Sequence, residues 1–455
     1  FFFSSRRRHT RYISVTGVQT CALPILPAHA VRILRPHDER GLLRDLVSLG
    51  IDASTAARTV RRASGRAVRF DGVSPATSRL IVRTFARLGG DAHAGPSAYR
   101  GLAGPDAEDV VALGTAGQFE LLATHLAGSG QASVGVADAI IRSLSVATWG
   151  AGVLQLGRFR LDLGRRIAVM GILNVTPDSF HDGGRYFDPE RAVERGLAMV
   201  EEGADLIDIG GDSASGEAAE IDSAEEIRRI EPVVRALASR VPVPIAVDTH
   251  RSRTAAAALD AGATLVNDIT GLSDPQMSAV VARGDAGVCV MHIKGVPKKV
   301  PPDWHYRNVI GDVLRFLDVR TMMALSAGIA PQRICIDPGI EFGKLIGQDL
   351  EIFRRLDELH TLGFPILLAA SRKTLVGNVL GGLPSSERLE GTAAVNTFAI
   401  ARGARIIRVH DVRAMARVAR MTEALIGMSV DGTPLERCRA DGTIVDESEL
   451  LPSGE

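Results

Sequence analysis

The chain has 455 residues, too many for one ordinary hydrophobic core, so two domains are expected. Hydrophobic residues make up 45% and charged residues 23%, the balance of a soluble globular protein, and the formal net charge is zero. The first 25 residues carry four arginines and no acid; without them 49 basic residues face 53 acidic ones, which excludes the basic footprint of a nucleic-acid binder. No apolar run is long enough to span a bilayer, so no membrane partner is expected. Cys21, Cys289, Cys335 and Cys438 lie far apart without paired spacing. That argues against a zinc site or a disulfide framework and suits a reducing cytoplasm.

Residues 1–25 are rich in Arg and Ser and poor in acids, as a transit peptide would be. They also resemble a translated sequencing adapter; that reading is preferred, and the segment is set aside as non-native. Residues 28–160 read as a small α+β module of unknown role. Its strand candidates are 30–34, 67–70 and 109–113. Asp38 can cap a helix carrying Leu42, Leu43 and Leu46. Ser74-Pro75 is a helix start, a capping residue followed by proline in the first turn. A further helix carries Phe119, Leu122 and Leu126. Gly150-Ala151-Gly152 and the polar stretch 158–166 are expected to connect this module to the next domain.

From Arg166 to about residue 428 the chain alternates strand and helix eight times. The strand candidates are 167–176, 205–211, 244–248, 264–269, 286–292, 334–337, 365–371 and 405–410. Amphipathic segments separate them, most clearly 192–202 and 224–238, the second capped by Asp222. Eight βα units in this length predict an α/β fold, a (β/α)8 TIM barrel preceded by the smaller α+β domain. A doubly wound open sheet is the alternative, but no glycine-rich dinucleotide turn follows the first strand. Residues 429–455 read as a polar tail.

Each strand candidate ends in a polar group. In order these are Asn174, Asp208 with Asp212 and Ser213, Asp248, Asn267 with Asp268, His292, Asp337, Ser371-Arg372-Lys373, and Arg408 with His410. Taken singly, an Asp after a strand is more often a turn or cap residue, and a His in an apolar strand a satisfied core residue. In a barrel, however, all eight ends share one face, where barrel active sites are built. Asp248, Asn267 and Asp337 suit a flat heterocycle with several N–H donors. Lys373, Arg408 and His410 bring positive charge, Ser371 and Thr374 stand at a helix start that favours an anion, and Arg408 can stack on a ring. Asn174 could coordinate a hard cation such as Mg2+, which takes few protein ligands and often bridges to a diphosphate.

The segments Leu173-Asn-Val-Thr-Pro-Asp-Ser-Phe180, Ala204-Asp-Leu-Ile-Asp-Ile-Gly-Gly211, Val247-Asp-Thr249, Asn267-Asp-Ile269, Asp337-Pro-Gly339 with Phe342-Gly-Lys344, Ser371-Arg-Lys373 and Arg408-Val-His-Asp-Val412 closely resemble the dihydropteroate synthases. The resemblance runs from Ile167 to about Gly427. It implies a transferase of folate biosynthesis that joins 6-hydroxymethyl-7,8-dihydropterin diphosphate to para-aminobenzoate with Mg2+, releasing diphosphate. A pterin-binding barrel with a different acceptor, or a non-catalytic pterin-binding paralogue, is the alternative. The resemblance also implies roles. Asp248, Asn267, Asp337 and Lys373 hold the pterin with Arg408 against its face. Asn174 with the metal, Arg408 and His410 hold the diphosphate, beneath a closing loop at 176–180. Phe342, Lys373 and Thr374 lie near the aminobenzoate. Family members are commonly homodimers.

Two stretches depart from the family pattern. The usual Gly-Gly-Glu-Ser-Thr-Arg-Pro-Gly run is here Gly210-Gly211-Asp212-Ser213-Ala214-Ser215-Gly216-Glu217, and Glu341 replaces a usual glycine. Both changes fall on the side of the second substrate.

Overall fold

The structure, a computed structural model, describes residues 39–63, 65–96, 108–146, 152–176, 189–212, 221–298, 306 and 308–428. The segments 1–25 and 429–455, the strand expected at 30–34 and Asp38 lie outside these residues.

The first unit is α+β. Three antiparallel strands, β1 (Gly65–Val73), β2 (Asp91–Pro96) and β3 (Glu108–Thr115), form a sheet in the order β1-β3-β2. Helix Pro75–Arg87 begins where the sequence predicts: Ser74 accepts a hydrogen bond from the Thr77 N–H and proline fills the first turn. Thr115 and Gln118 form a reciprocal capping box at the start of helix Ala116–Ala127. Phe70, Ile81, Phe85, Val110, Phe119, Leu122 and Leu126 make one core, with the Phe85 and Phe119 rings 4.6 Å apart. Helices Ala53–Ala63 and Gln131–Val146 and strand β2 add to the elements that the sequence predicts.

The stretch expected to be a polar connection is instead a hairpin, β4 (Val153–Leu156) and β5 (Phe159–Asp162), turning at Gly157. Its arginines conceal an alternation of apolar residues. Leu154, Leu156 and Leu163 are fully buried and pack onto Ala168, Met170, Leu206, Ala246, Leu265 and Ile406 inside the next sheet. The Gly157 N–H donates to the Asp285 carbonyl, just before a barrel strand begins, so the hairpin plugs the end where the strands start. The fit is close. A Cβ on Gly287 would stand 2.5 Å from a Leu156 methyl.

That sheet is a closed barrel of eight parallel strands: β6 (Ala168–Asn174), β7 (Leu206–Gly210), β8 (Ile245–Asp248), β9 (Leu265–Asp268), β10 (Gly287–Met291), β11 (Ile334–Asp337), β12 (Ile366–Ala369) and β13 (Ala404–Val409). Neighbours follow chain order, and β13 closes onto β6 with Ile406 opposite Ala168. The sequence places every strand to within three residues at each end. Alternate residues face the surrounding helices, where Ile207, Ile209, Val247, Val266 and Ile407 join a large apolar layer. The other parity faces the axis, apolar near the hairpin and polar one layer up. Helix Ser223–Ala238 carries the expected cap, Asp222 accepting from the Glu225 N–H at 2.8 Å.

Candidate active site

Two residues beyond the apolar layer, the inward positions become Asp208, Asp248, Asn267, Asp337 and Arg408. Each lies on the same strand face as Leu206, Ala246, Leu265, Cys335 and Ile406 respectively. The side-chain period of two therefore carries a polar ring to the C-terminal mouth of the barrel.

Arg408 is the centre of that ring. Its Nε donates to Asp208 Oδ2 at 2.5 Å and its Nη2 to Asp248 Oδ2 at 2.7 Å. Asn267 Nδ2 donates to the same Asp208 oxygen at 3.0 Å. Asp208 is fully buried, and its other oxygen has no partner among the described residues. Burial pushes the Asp248 carboxyl up to about 7, against the pull of Arg408 and with a push from Asp208. About a fifth of the Asp248 side chain still meets solvent, so it is the acid of the pair open to a ligand.

Asp337 ends β11. Its Oδ1 accepts from the Gly339 N–H at 2.7 Å, and burial raises its pKa while that hydrogen bond and Lys373 oppose the rise. A Cβ at Gly339 would lie 1.9 Å from the His292 carbonyl, so only glycine permits this turn, which has φ +67°. Lys373 reaches across from the turn after β12. Its Nζ donates to the Ile340 carbonyl at 2.5 Å and lies 4.7 Å from the centre of the Phe342 ring. Burial lowers its pKa, with Glu341, Asp337 and Asp349 pulling the other way. Arg372, just before it, is at φ +56° and is bound through Nε to Asp411 at 2.8 Å. Thr374 opens the short helix Thr374–Val379 and is exposed.

Asn174 is exposed at the end of β6. A Cβ on Gly210 would stand 3.6 Å from Asp248 Cβ and 3.8 Å from Asn174 Oδ1, so the amide and the carboxylate flank one small residue. His410 is expected to bring positive charge; the structure corrects this. Burial first, then Arg408 and Arg372, bring its pKa down to about 4, and it stands as a neutral ring with Nδ1 3.1 Å from Ser371 Oγ.

Other strand-end groups serve the fold. Asp268 faces away from the axis and accepts from the Thr270 and Leu272 N–H groups, a turn residue. His292 is buried against Phe316, its Nδ1 2.9 Å from Lys344 Nζ. Asp212 pairs with Arg251 at 3.0 Å and Lys298 at 2.8 Å. The changed positions 213–217 and the loop expected at 177–180 lie outside the described residues.

Asp208 is the central group to which the sequence reading gave no role. It stood among the strand ends, and its parity with Leu206 would have turned it inward.

The inward ring offers acceptors at Asp248 and Asp337, an amide at Asn267, and cations at Arg408 and Lys373. This set is complementary to a flat ring with several N–H donors that carries negative charge at one end. Among the described residues no cluster of three or more His, Cys, Asp or Glu could hold a metal by protein groups alone. The one side-chain oxygen of the exposed Asn174 instead suits a hard cation that keeps its waters and shares an anionic ligand.

Comparison with known proteins points the same way. The family description "Pterin binding enzyme" matches residues 170–410. The chain is 41% identical to a dihydropteroate synthase of Synechocystis sp. over 273 residues, 60% of this chain and 94% of that protein. It is 38% identical over 370 residues to a probable bifunctional folylpolyglutamate synthase/dihydropteroate synthase of Haloferax volcanii, a match that takes in 79% of this chain and 43% of that one. Among solved structures, the dihydropteroate synthase of Xanthomonas albilineans in complex with 7,8-dihydropteroate matches with a TM-score of 0.55 at 39% identity, covering 60% of this chain and 98% of the other.

Proposed function

The chain belongs to the pterin binding enzymes, and from that premise we infer that it catalyses the dihydropteroate synthase reaction. It joins 6-hydroxymethyl-7,8-dihydropterin diphosphate to para-aminobenzoate, giving 7,8-dihydropteroate and diphosphate. The observation that carries this reading is the inward ring of Asp208, Asp248, Asn267 and Asp337 around Arg408.

In the proposed mechanism the pterin ring enters over that layer. Its N–H donors go to Asp248 and to the Asp337 oxygen not engaged by Gly339, and the Asn267 amide meets its edge. Arg408 then exchanges its Asp248 contact for the ring face and the diphosphate. When the C–O bond breaks, negative charge grows on the leaving diphosphate and positive charge on the pterin methylene. Arg408 faces the first and Asp248 the second, in a site whose burial strengthens both effects. His410 acts as a neutral donor to a phosphate oxygen. The arylamine is a nucleophile as it stands, so positioning and electrostatics replace a strong general base. Asn174 would hold Mg2+ against the diphosphate, and the metal would supply charge neutralisation of the leaving group. Phe342 and Lys373 would line the acceptor side.

We place the protein in the cytoplasm, a reading supported by two buried free thiols, Cys289 and Cys335, on adjacent strands. The deciding experiment is a product assay with pterin diphosphate, Mg2+ and para-aminobenzoate, in which 7,8-dihydropteroate is the expected product. Tight binding of the pterin diphosphate with no condensation would overturn the assignment in favour of a pterin-binding barrel with another acceptor or with no transfer activity.

A further inference from the structure

The turn after β11 places three residues at positive φ: Gly339, Glu341 at +70° and Gly343. For an ordinary side chain this is an unfavourable conformation that persists only where the surroundings impose it. Here they do. The Glu341 N–H donates to both Asp349 oxygens, at 3.1 and 3.2 Å. Lys344 Nζ holds the Gly339 carbonyl at 2.6 Å and the Phe342 carbonyl at 3.3 Å, and Lys373 Nζ holds the Ile340 carbonyl. The result of this scaffolding is to deliver a carboxylate. Glu341 Oε1 accepts from the N–H of Leu375, the residue after Thr374, and its charge is felt by the Lys373 ammonium that lies over Phe342.

On the proposed reading, Phe342 and Lys373 line the acceptor side, with Thr374 expected near it, and the arylamine's only charge is a carboxylate. The chain sets a carboxylate of its own on the Leu375 N–H, next to these residues in the chain. We propose that Glu341 is a specificity-determining residue for the acceptor: it occupies the hydrogen-bond donor and the positive field that an acceptor carboxylate would use. An anionic arylamine binds only by displacing it, whereas a neutral arylamine of the same shape meets no such competition. This inference rests on the arylamine-transfer reading. It goes beyond it by making the anionic end of the acceptor the disfavoured end.

The test uses the full chain with Glu341→Gly and Glu341→Gln, saturating pterin diphosphate, and two acceptors, para-aminobenzoate and its neutral carboxamide. The Gly variant removes the carboxylate and the unfavourable φ together; the Gln variant keeps the backbone cost and removes only the charge. Both are expected to raise kcat/KM for the carboxylate by about tenfold or more, the worth of a charge-assisted contact regained, through KM. The carboxamide and the KM for pterin diphosphate should stay within about twofold, the scale of an interaction left untouched. A carboxylate-to-carboxamide ratio that is unchanged or lower in both variants would overturn the proposal, because a merely structural Glu341 would move both acceptors alike. If the wild type makes no product with either acceptor, the transfer reading has failed. Glu341 is then judged by calorimetric binding of the two arylamines to the pterin diphosphate-loaded protein, on the same ratio.

Discussion

Asp208→Ala tests the core of the site most directly. The substitution removes a fully buried carboxylate that accepts from both Arg408 and Asn267. Breaking a buried pair by deleting one partner costs about 3 to 5 kcal/mol, because the other charge is left behind. Arg408 retains Asp248 at 2.7 Å, which favours the lower figure, while the Asn267 amide loses its acceptor and adds to the cost. At about 2 to 4 °C per kcal/mol for a domain of this size, the melting temperature should fall by roughly 6 to 20 °C. Asp248 should also lose one of the groups that push its proton affinity up. The assay is a double-mutant cycle with Arg408→Met, read by denaturant unfolding and by the pH midpoint of pterin binding. The two losses should fall short of additivity by about 1 kcal/mol or more, as for residues in one network, and the midpoint should move to lower pH in Asp208→Ala. Strict additivity with an unmoved midpoint would refute the view that Asp208, Arg408 and Asp248 form one charge system.

Three other expectations follow from the geometry. Because burial raises Asp248 to about 7, the folded chain holds that proton where the unfolded one has lost it. Its contribution to stability thus falls as pH rises from about 4 to 7, while pterin affinity, which needs the carboxylate, should rise by up to about tenfold per pH unit over that interval. Calorimetric pterin affinity that is flat from pH 5 to 8 would contradict this, and Asp248→Asn should abolish the binding. Lys344 shows the opposite sign: burial depresses it to about 7, so the unfolded chain binds the extra proton up to about 10.4 and stability should rise with pH between these limits. In Lys344→Met that rise, at most about 1.4 kcal/mol per pH unit, should vanish from the urea midpoints. Finally, Leu156→Ala opens a cavity in the barrel floor and should cost about 2 to 5 kcal/mol in thermal unfolding without changing pterin affinity, since Leu156 lies below the polar layer.

The barrel was legible because each strand is buried on both sides and reads as a short apolar run closed by a polar residue. Asn174, Asp248, Asp337 and Arg408 stand out for that reason. What one sequence does not display is direction. Asn267 and Asp268 are adjacent in the chain, yet one enters the ring and the other folds a turn, a difference set by the pleat. Partnership was equally hidden: nothing in the spacing joins Arg408 to Asp208, two hundred residues away. Arg158 and Arg160 give the four-residue strands of the hairpin the look of a polar connection. Its period-two leucines were the signal. Glu341 was visible as a departure from a family pattern, but only the fold shows where its carboxylate goes.

That hairpin also bears on how the chain comes off the ribosome. Leu154, Leu156 and Leu163 are synthesised before any barrel strand, yet their burial includes Ile406 on the last one. At about 5 to 20 residues per second, the intervening stretch of about 240 residues takes roughly 12 to 50 seconds to emerge. For that time three leucines lack their final cover, and closure of β13 on β6 is a contact of very long sequence separation. The nascent chain, rather than the finished barrel, is therefore where this protein is most exposed to misassembly.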